Sequence, residues 1–338
     1  MAPKINDIVE KTGVSVSTVS RILNGEKKYK FAKDTVEKVR KAADELGYRP
    51  NYFARSLKEG RTNCIGLLGN MGNANFVSPY LTGIIASIES AMIGNGHGYS
   101  LLVFGGNNSR GVEETRDLIR KGLVDGLIFS MVSSYLPDFE KEFLPILKEN
   151  DIPSVVIHSV NEELPYNNVG VNMEQCGYLA AKYLLDKGHT RVAFYNHEER
   201  TVLFNCMEQG IARACSERSA HWERITPTAD GKFFGRSFGT FLDIDTFPEA
   251  LIMPTDRTCL ACVQAACRRK VSIPGQCDVI RISDAPTIIE TLPGIPYVLH
   301  PVKAKSETAL HMLLEIIEGK REKGKVWQEV LEPRLVEN

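Results

Sequence analysis

The sequence lacks an apolar run long enough to cross a membrane, which takes about 18 or more consecutive apolar residues. Its first residues, MAPKINDIVEKTG, carry acidic side chains and no apolar stretch, so they do not match a secretory signal. We therefore expect a cytoplasmic, nucleoid-associated protein with no membrane partner, whose eight cysteines remain thiols.

Motifs of the common catalytic sites are also missing. The chain has no dinucleotide fingerprint, P-loop, G-x-S-x-G elbow or H-E-x-x-H, and its seven histidines show no metal-ligand spacing. Cys259 and Cys262 form a single CxxC in an apolar helical segment, without the second ligand pair that a structural zinc site needs. We therefore expect no catalysis, no metal and no cofactor, and we interpret these two thiols as buried and structural.

The net charge of the whole chain is only −1, but its charged residues are unevenly distributed. Residues 1–61 hold 14 Lys and Arg against 8 Asp and Glu, so the remainder of the chain is acidic. A basic end on a mildly acidic body is typical of a domain that faces phosphates.

Short helices are predicted in this basic segment. Apolar spacing over residues 4–12 predicts a first helix, Gly13 breaks it, and Ser15 is suited to cap a second helix over Val16–Asn24. A third helix is predicted over residues 33–46. Two short helices joined by a glycine-containing turn indicate a helix-turn-helix, whose second helix lies in the major groove of DNA. The polar face of that helix carries Ser17, Thr18, Ser20 and Arg21.

Two sequence runs, TGVSVSTVSRILNG and ELGYRPNYFARSLKEGRT, resemble the headpiece and hinge of the LacI/GalR family of bacterial repressors. The resemblance implies that Val16, Ser17 and Arg21 face DNA bases. The residues that it places against the DNA backbone are Ser15, Thr18, Ser20 and Asn24. It also implies a hinge helix from Asn51 to Lys58, with Leu57 wedged into the minor groove and Ala54 beside it. The loop after Asn24 is about two residues longer than the usual family pattern.

From residue 64 onward, strand-like runs such as CIGLLG, YSLLVFG and GLIFSM alternate with helical segments, and the rhythm resumes after NVGVN. This pattern predicts parallel sheets covered by helices, in two similar lobes. The runs LVDGLIF, IPSVVIH and LEPRLVEN resemble the family's regulatory domain, which has the fold of periplasmic sugar-binding proteins. The expected fold class is thus a small all-α helix-turn-helix headpiece, followed by a two-lobed α/β domain like periplasmic binding proteins. The expected boundaries are a headpiece over 1–48, a hinge over 49–61, an N-lobe over 62–160 and 290–322, and a C-lobe over 161–289 and 323–338.

A ligand cleft is expected at the carboxyl ends of the parallel strands, between the lobes. The residues that could supply polar groups and an aromatic face for a sugar are Asn75, Phe76, Asn172, Asp256 and Asp284. Met207 stands where the family often has an effector-binding arginine, and Arg200 could take over that role. Either Ser283 or Asp284 matches the family's ligand-binding aspartate, and both remain candidates.

The sequence therefore predicts a DNA-binding transcription regulator, more specifically a repressor that binds a pseudo-palindromic operator as a homodimer. The effector is expected to be a small molecule, a sugar or sugar derivative. The alternative interpretation is a cytoplasmic small-molecule-binding protein of the same fold without a DNA-dependent function.

Overall fold

The computed structural model describes residues 3–23, 29–48, 61–69, 79–94, 98–105, 109–130, 139–158, 164–196, 202–225, 247–283, 292, 294–322 and 324–337. The chain divides into two compact units, residues 1–62 and 63–338. Within the described residues, no helix is both long and apolar enough to cross a membrane.

The smaller unit contains three helices, α1 (Ile5–Thr12), α2 (Val16–Leu23) and α3 (Lys33–Leu46). Their apolar faces meet in a small core of Ile8, Val19, Ile22, Val39, Ala42 and Ala43. Gly13 ends α1 with a φ of 70°, a left-handed conformation that glycine adopts without steric cost. The amide of Thr18 donates to the Ser15 side chain at 3.4 Å, so the predicted cap of α2 is confirmed.

The first sheet of the larger unit consists of β1 (Cys64–Gly69), β2 (Ser100–Gly105), β3 (Gly126–Ser130), β4 (Ser154–Ile157), β5 (Asn168–Val171) and β11 (Gln328–Leu331). The strands are all parallel, in the order β11-β5-β4-β3-β1-β2. The helices of this layer are α4 (Pro79–Gly94), α5 (Ser109–Arg120), α6 (Leu144–Glu149), which follows a π-helical turn at Phe139–Phe143, and α10 (Val302–Ile317). Leu67 packs toward α4 and α10 while its neighbour Leu68 packs toward α5 and α6, so both faces of the sheet are buried.

The second sheet consists of β6 (Arg191–Tyr195), β7 (His221–Ile225), β8 (Ala250–Met253), β9 (Asp278–Ser283), β10 (Tyr297–Leu299) and β12 (Arg334–Val336). The order is β12-β10-β9-β8-β6-β7, and the strands are parallel except for β12, which pairs antiparallel with β10. Its helices are α7 (Met173–Asp186), α8 (Val202–Glu217) and α9 (Asp256–Arg269). Phe194 packs with α7 and α8, and Tyr195 packs with α9 on the opposite face.

The strand pairing departs from the lobe boundaries that the sequence predicts. Strand β5 is expected in the C-lobe segment 161–289, and β11 in the segment 323–338, but both pair within the first sheet. Strand β10, expected in the N-lobe segment 290–322, pairs within the second sheet. The physical reason is that the chain crosses between the sheets after these strands rather than before them. The crossings therefore leave the carboxyl ends of β5, β10 and β11.

Candidate DNA-binding and effector sites

The first turn of α2 presents a small network of hydroxyl groups. Ser15 Oγ lies 3.1 Å from Ser17 Oγ and donates to Thr18 Oγ1 at 3.0 Å. Ser15 and Ser17 are exposed and Thr18 is partly exposed. Short hydroxyls of this kind let a backbone approach phosphate oxygens and donate to them. The network lies at the helix N-terminus, where the helix dipole also favours an anion.

The exposed face of α2 also carries an apolar and a cationic side chain. Val16, at the start of α2, is 46% exposed, whereas the inner face of the helix packs in the core. The Arg21 guanidinium carbon lies 4.1 Å from the ring centre of Tyr29, within the range of a cation–π contact. Ser20 is half-buried beside them. A methyl-bearing side chain suits the thymine methyl group, and a guanidinium suits guanine.

Tyr29 is a functional candidate that sequence reasoning missed. It belongs to the lysine-rich segment GEKKYKFAK, and its ring stacks on Phe31 with the centroids 6.3 Å apart. An aromatic residue among lysines, close in sequence to a predicted base-contacting arginine, is the signal that could have found it. The remaining DNA-contact predictions, Asn24, Asn51, Ala54 and Leu57, lie outside the described residues.

Two of the predicted effector residues meet at the carboxyl edge of the second sheet. Ser283 Oγ donates to Asp256 Oδ2 at 2.8 Å, and both side chains are buried. Arg281 Nε donates to Asp256 Oδ1 at 2.7 Å, so both carboxylate oxygens accept hydrogen bonds from the protein. Asp256 follows β8 at the start of α9, and Ser283 ends β9, which explains why they lie side by side.

Arg281 is the second residue that the sequence does not indicate. It has no exposed surface, and its Nη1 donates to the carbonyl oxygens of Leu292 and Ile295 at 3.3 and 2.9 Å. Its guanidinium also lies over the ring of Tyr297, at 5.0 Å. Among the residues that the structure describes, the buried Nη2 atom finds no acceptor. Arg281 therefore links Asp256 to the chain segment that leads into β10.

Asn172 occupies a different position from the Asp256 pair. Its Oδ1 accepts from the amide of Gln175 at 3.0 Å and so caps α7, and its Nδ2 donates to Glu332 Oε1 at 3.1 Å. The hydrogen bond to Glu332 ties together the two crossings that follow β5 and β11. The other predicted effector residues, Asn75, Phe76, Arg200 and Asp284, lie outside the described residues, so an effector contact stays a prediction for all of them.

A cluster of four polar residues, three of them buried and one half-buried, lies beside the first sheet, and no sequence pattern indicates it. Lys305 Nζ donates to Tyr80 Oη at 2.7 Å, to His300 Nε2 at 2.9 Å and, more weakly, to the His158 carbonyl oxygen at 3.5 Å. We call Tyr80, His158, His300 and Lys305 the Lys305 cluster. Burial, together with the positive charge of Lys305, lowers the pKa of His300 well below its ordinary value. Burial also lowers the pKa of His158 to about 4, although a hydrogen bond to Asn168 opposes this shift.

Three further residues that the sequence singles out lie in apolar cores. Cys259 and Cys262 are fully buried on α9, and burial raises the pKa of the Cys259 thiol to about 12. Burial raises the pKa of the Cys262 thiol as well, so both thiols are protonated near neutral pH, as structural cysteines are. Met207, which replaces an expected arginine, packs in the core between α7 and α8.

Two different family models match the chain, one in its smaller unit and one in its larger unit. The family model described as "Bacterial regulatory proteins, lacI family" matches residues 4–51, and the "Periplasmic binding protein-like domain" matches residues 181–337. The HTH-type transcriptional repressor PurR of Vibrio parahaemolyticus is 30% identical over 352 residues, covering 98% of this chain and 96% of that protein.

Solved structures share the fold along the whole chain. The lac repressor dimer bound to operator and the anti-inducer ONPF matches with a TM-score of 0.76 at 20% identity, over 100% of this chain and 98% of that one. The complex of the transcriptional regulator CelR with cellobiose matches with a TM-score of 0.65 at 21% identity, over 99% and 98%. Because the sequence match to a curated relative extends over nearly all of both proteins, this chain belongs to the lacI family of bacterial regulatory proteins, as a transcription regulator with a helix-turn-helix headpiece and an effector-binding domain.

Proposed function

We propose that the protein represses transcription by binding a pseudo-palindromic operator as a homodimer, and that a small-molecule effector changes its affinity for that operator. The observation that carries this proposal is the outer face of α2, where an exposed hydroxyl network, the exposed Val16 and the Arg21 guanidinium lie on one helix with a packed inner face. A helix with this division of residues suits the major groove. The curated relative, which is named a transcriptional repressor, supports repression over activation.

In this proposal the residues of the headpiece have two roles. Val16, Ser17 and Arg21 contact base edges, because a branched apolar group, a short hydroxyl and a guanidinium read different bases. The residues that hold the helix against the phosphate backbone are Ser15, Thr18, Ser20 and Asn24. Asn51, Ala54 and Leu57 belong to the hinge segment, with Leu57 inserted at the centre of the operator.

The proposed homodimer follows from the symmetry of DNA recognition. One recognition helix reads only a few base pairs, and two helices related by a twofold axis read two half-sites about one helical turn apart. The lac repressor, whose fold this chain shares, binds its operator as a dimer, which supports the same arrangement here. We infer that the protein works in the cytoplasm, where its operator lies.

The proposed effector is a sugar or sugar derivative that binds at the carboxyl edges of the two sheets. The cellobiose complex of CelR supports a carbohydrate, and the edge of an open parallel sheet is the usual place for a ligand. The residues proposed to contact it are Asn75, Phe76, Asn172, Arg200, Asp256 and either Ser283 or Asp284. An effector that prefers one arrangement of the lobes changes operator affinity by a coupling free energy of typically ~1–3 kcal/mol.

Binding of the full-length protein to double-stranded DNA over a series of salt concentrations tests the DNA-binding part of the proposal. The logarithm of affinity is expected to fall linearly with the logarithm of salt concentration, by about 0.9 per phosphate neutralised. Sedimentation of the complex is expected to give two chains per binding site. Affinity that does not change with salt would contradict DNA binding, and one chain held tightly on one half-site would contradict the dimer.

A further inference from the structure

A buried asparagine lies at the carboxyl edge of the second sheet. Asn196 directly follows the last residue of β6 and has no exposed surface. Its backbone amide donates to the carbonyl oxygen of Ile225 at 2.9 Å, so the ladder between β6 and β7 extends to this residue. Ser283 ends β9 at the same edge, because β6, β8 and β9 are neighbouring parallel strands. Asn196 therefore lies where an open parallel sheet usually binds its ligand.

Asn196 belongs to a group of three polar side chains, Asn196, Glu208 and Arg224, which we call the Arg224 cluster. Asn196 Nδ2 donates to Glu208 Oε1 at 2.8 Å, and Arg224 Nε donates to the same oxygen at 2.6 Å. Arg224 Nη2 donates to Glu208 Oε2. Arg224 pairs with Phe194 across the ladder, and Asn196 is two residues beyond Phe194. Both side chains therefore face α8, the helix that carries Glu208.

We propose that the Arg224 cluster binds hydroxyl groups of a neutral sugar effector, with Arg224 as the hydrogen-bond donor and Asn196 Oδ1 as the acceptor. This inference rests on the proposed function and narrows it. It adds two contact residues that no sequence pattern indicates, and it makes the effector a neutral sugar rather than a sugar acid.

The first argument is the amide oxygen of Asn196. Because a carboxylate only accepts hydrogen bonds, Asn196 turns its NH2 group toward Glu208, and its oxygen is directed elsewhere. In the part of the chain that the structure describes, this buried oxygen receives no hydrogen bond. A buried carbonyl oxygen without a donor costs free energy, so buried polar atoms nearly always have a partner. A ligand hydroxyl that donates to Asn196 Oδ1 would supply that partner.

The second argument is the guanidinium group of Arg224. Glu208 accepts from Nε and from one hydrogen of Nη2, which leaves Nη1 and the other hydrogen of Nη2 as donors for a ligand. The side chain keeps 28% of its surface exposed, so the protein does not enclose it completely. Two hydrogen bonds to one carboxylate fix the plane of the guanidinium, and a group held in this way loses little conformational freedom when a ligand binds.

The third argument is the charge at this edge of the second sheet. Arg224 is paired with Glu208, and Arg281 is paired with Asp256 at 2.7 Å, so each arginine already has a carboxylate partner. An anionic ligand would come close to Glu208 and would be repelled by it. A hydroxyl group both accepts and donates without carrying charge, so it can accept from Arg224 and donate to Asn196 Oδ1. The cluster therefore favours a neutral, hydroxylated ligand.

A purely structural role for the Arg224 cluster makes a different prediction. If Arg224 and Glu208 only fasten the edge strand β7 to α8, their replacement lowers stability and leaves sugar binding unchanged. The variant Arg224→Lys separates the two roles. It keeps a positive charge beside Glu208, so the buried carboxylate retains a partner, but an ammonium group lacks the forked geometry that holds a carboxylate and a ligand at once.

The test uses full-length protein and named probes: the neutral sugars glucose, galactose, mannose, ribose and cellobiose, and the uronates of the three hexoses. Thermal unfolding is measured with each probe at millimolar concentration, and calorimetry then gives Kd for any probe that raises Tm. We expect a neutral sugar to raise Tm, and to raise it more than any uronate does. Arg224→Lys should weaken this binding about tenfold to a hundredfold, as expected for a lost hydrogen bond to a charged donor.

The matched control is Arg191→Lys, the same substitution in an exposed ion pair at the amino end of β6, which should leave sugar binding unchanged. Asn196→Leu removes the acceptor, keeps the pair of Arg224 with Glu208, and should weaken binding as well. If Arg224→Lys does not fold, the double variant Arg224→Met with Glu208→Gln decides the matter, because it removes both charges together and leaves neither unpaired.

The inference is overturned if no neutral sugar raises Tm, if a uronate raises it more than the neutral sugars do, or if the folded variants bind sugar as the wild type does. These failures can be distinguished from failure of the proposed function. Sugar binding that the variants leave unchanged refutes the role of the Arg224 cluster alone, and the absence of any response to sugars refutes the sugar effector as well. DNA binding by the same wild-type preparation then shows whether repression at an operator still stands as a proposal.

Discussion

Arg281 lies in the middle of a central strand, has no exposed surface, and donates its hydrogen bonds to one carboxylate and two carbonyls. A buried guanidinium is stable only when such acceptors compensate for its lost hydration. The two carboxylate oxygens of Asp256 in turn accept hydrogen bonds from Arg281 and Ser283. Each residue of this group therefore holds the others in place at the edge where we propose that the effector binds.

Replacing Arg281 by methionine should lower the free energy of unfolding by about 3–5 kcal/mol, because Asp256 is left buried without its cation. Adding Asp256→Asn to Arg281→Met should restore part of this loss, since the uncompensated charge is then removed. Urea unfolding of the variants measures both effects. The control is Arg191→Ala, which removes an exposed arginine 3.9 Å from Glu223 and should change little. Equal losses for Arg281→Met and Arg191→Ala would show that the buried pair has no special role.

Replacing Tyr29 by alanine should weaken operator binding a few fold and relax the base preference at the position that Arg21 reads. The guanidinium is held over the Tyr29 ring at 4.1 Å, and an exposed cation–π contact is worth about 0.5–1 kcal/mol. Competition binding with operators changed at single positions measures the preference. Tyr29→Phe keeps a ring and should behave almost as the wild type. If Tyr29→Ala keeps the full base preference, the tyrosine does not position Arg21.

Acidification should destabilise the larger unit through His158. Burial lowers the pKa of His158 to about 4 in the folded protein, while in the unfolded chain the pKa returns to the ordinary histidine value of 6.5. Below the unfolded value the unfolded state binds a proton that the folded state does not, so stability falls as pH falls between these two values. From pH 7 to pH 5 this histidine alone should cost about 2 kcal/mol.

Urea unfolding at the two pH values, for the wild type and His158→Gln, measures this contribution. The variant keeps an amide donor for Asn168 but does not titrate, so its loss of stability should be smaller. The exposed His311→Gln should match the wild type. A loss for His158→Gln as large as that of the wild type would mean that the proton is taken up elsewhere.

At the level of elements, helices α7 and α8 approach each other so closely that glycine is required at the contact. A Cβ atom on Gly177 would lie 2.0 Å from the carbonyl oxygen of Met207, and one on Gly210 would lie 1.8 Å from that of Glu174. This contact also explains Met207, since the turn of α8 that carries it is packed directly on α7. An arginine there would be buried in an apolar core rather than directed at a ligand.

Gly210→Ala should therefore lower the free energy of unfolding by about 1–3 kcal/mol or more, because the added methyl group pushes two backbones apart. Gly94→Ala is the matched control: this glycine ends a helix, and a Cβ atom added there would meet nothing within 4 Å, so the change should be neutral or slightly stabilising. Thermal unfolding of both variants gives the comparison. A Gly210→Ala protein as stable as the wild type would mean that α7 and α8 can move apart without a loss of stability.

Local patterns are sufficient to predict most elements, because each helix or strand carries its own apolar period. The third helix, expected over 33–46, begins and ends there, and the second begins at Val16 as expected and is described as far as Leu23. Pairing between distant strands cannot be predicted in this way. β5 directly precedes α7 in the sequence, so the pattern groups it with the second lobe, although its partners are β4 and β11.

Contacts between residues distant in the sequence also decide how much of the candidate sites can be predicted. Asp256 and Ser283 can be predicted from their places after strands, but 25 residues separate Asp256 from the arginine that binds it. Lys305 lies 225 residues from Tyr80 and 147 from His158, and no sequence period connects positions so far apart. The hydroxyl network at Ser15, by contrast, joins residues two and three apart and can be predicted from the motif alone.

For the whole molecule, the three crossings between the sheets have a consequence for regulation. The chain leaves the carboxyl ends of β5, β10 and β11, and both the Lys305 cluster and the Asp256 pair lie next to such ends or to their neighbours. In the proposed function, an effector held at both edges would stabilise one arrangement of the lobes over another. Differential affinity of this kind is the only means by which a ligand can shift a conformational equilibrium.

Selection of bound sequences from random double-stranded DNA by the full-length protein tests sequence-specific regulation most directly, with Arg21→Ala and Arg40→Ala run in parallel. Arg40 is an exposed arginine on α3, outside the recognition helix, and so provides a control of equal charge. The expected result is a twofold-symmetric motif for the wild type and for Arg40→Ala, and a motif that becomes degenerate at one position of each half-site for Arg21→Ala, corresponding to a cost of roughly 1–3 kcal/mol. Recovery of no motif by the wild type, or of the same motif by Arg21→Ala, would contradict the assignment of α2 as the helix that reads the operator.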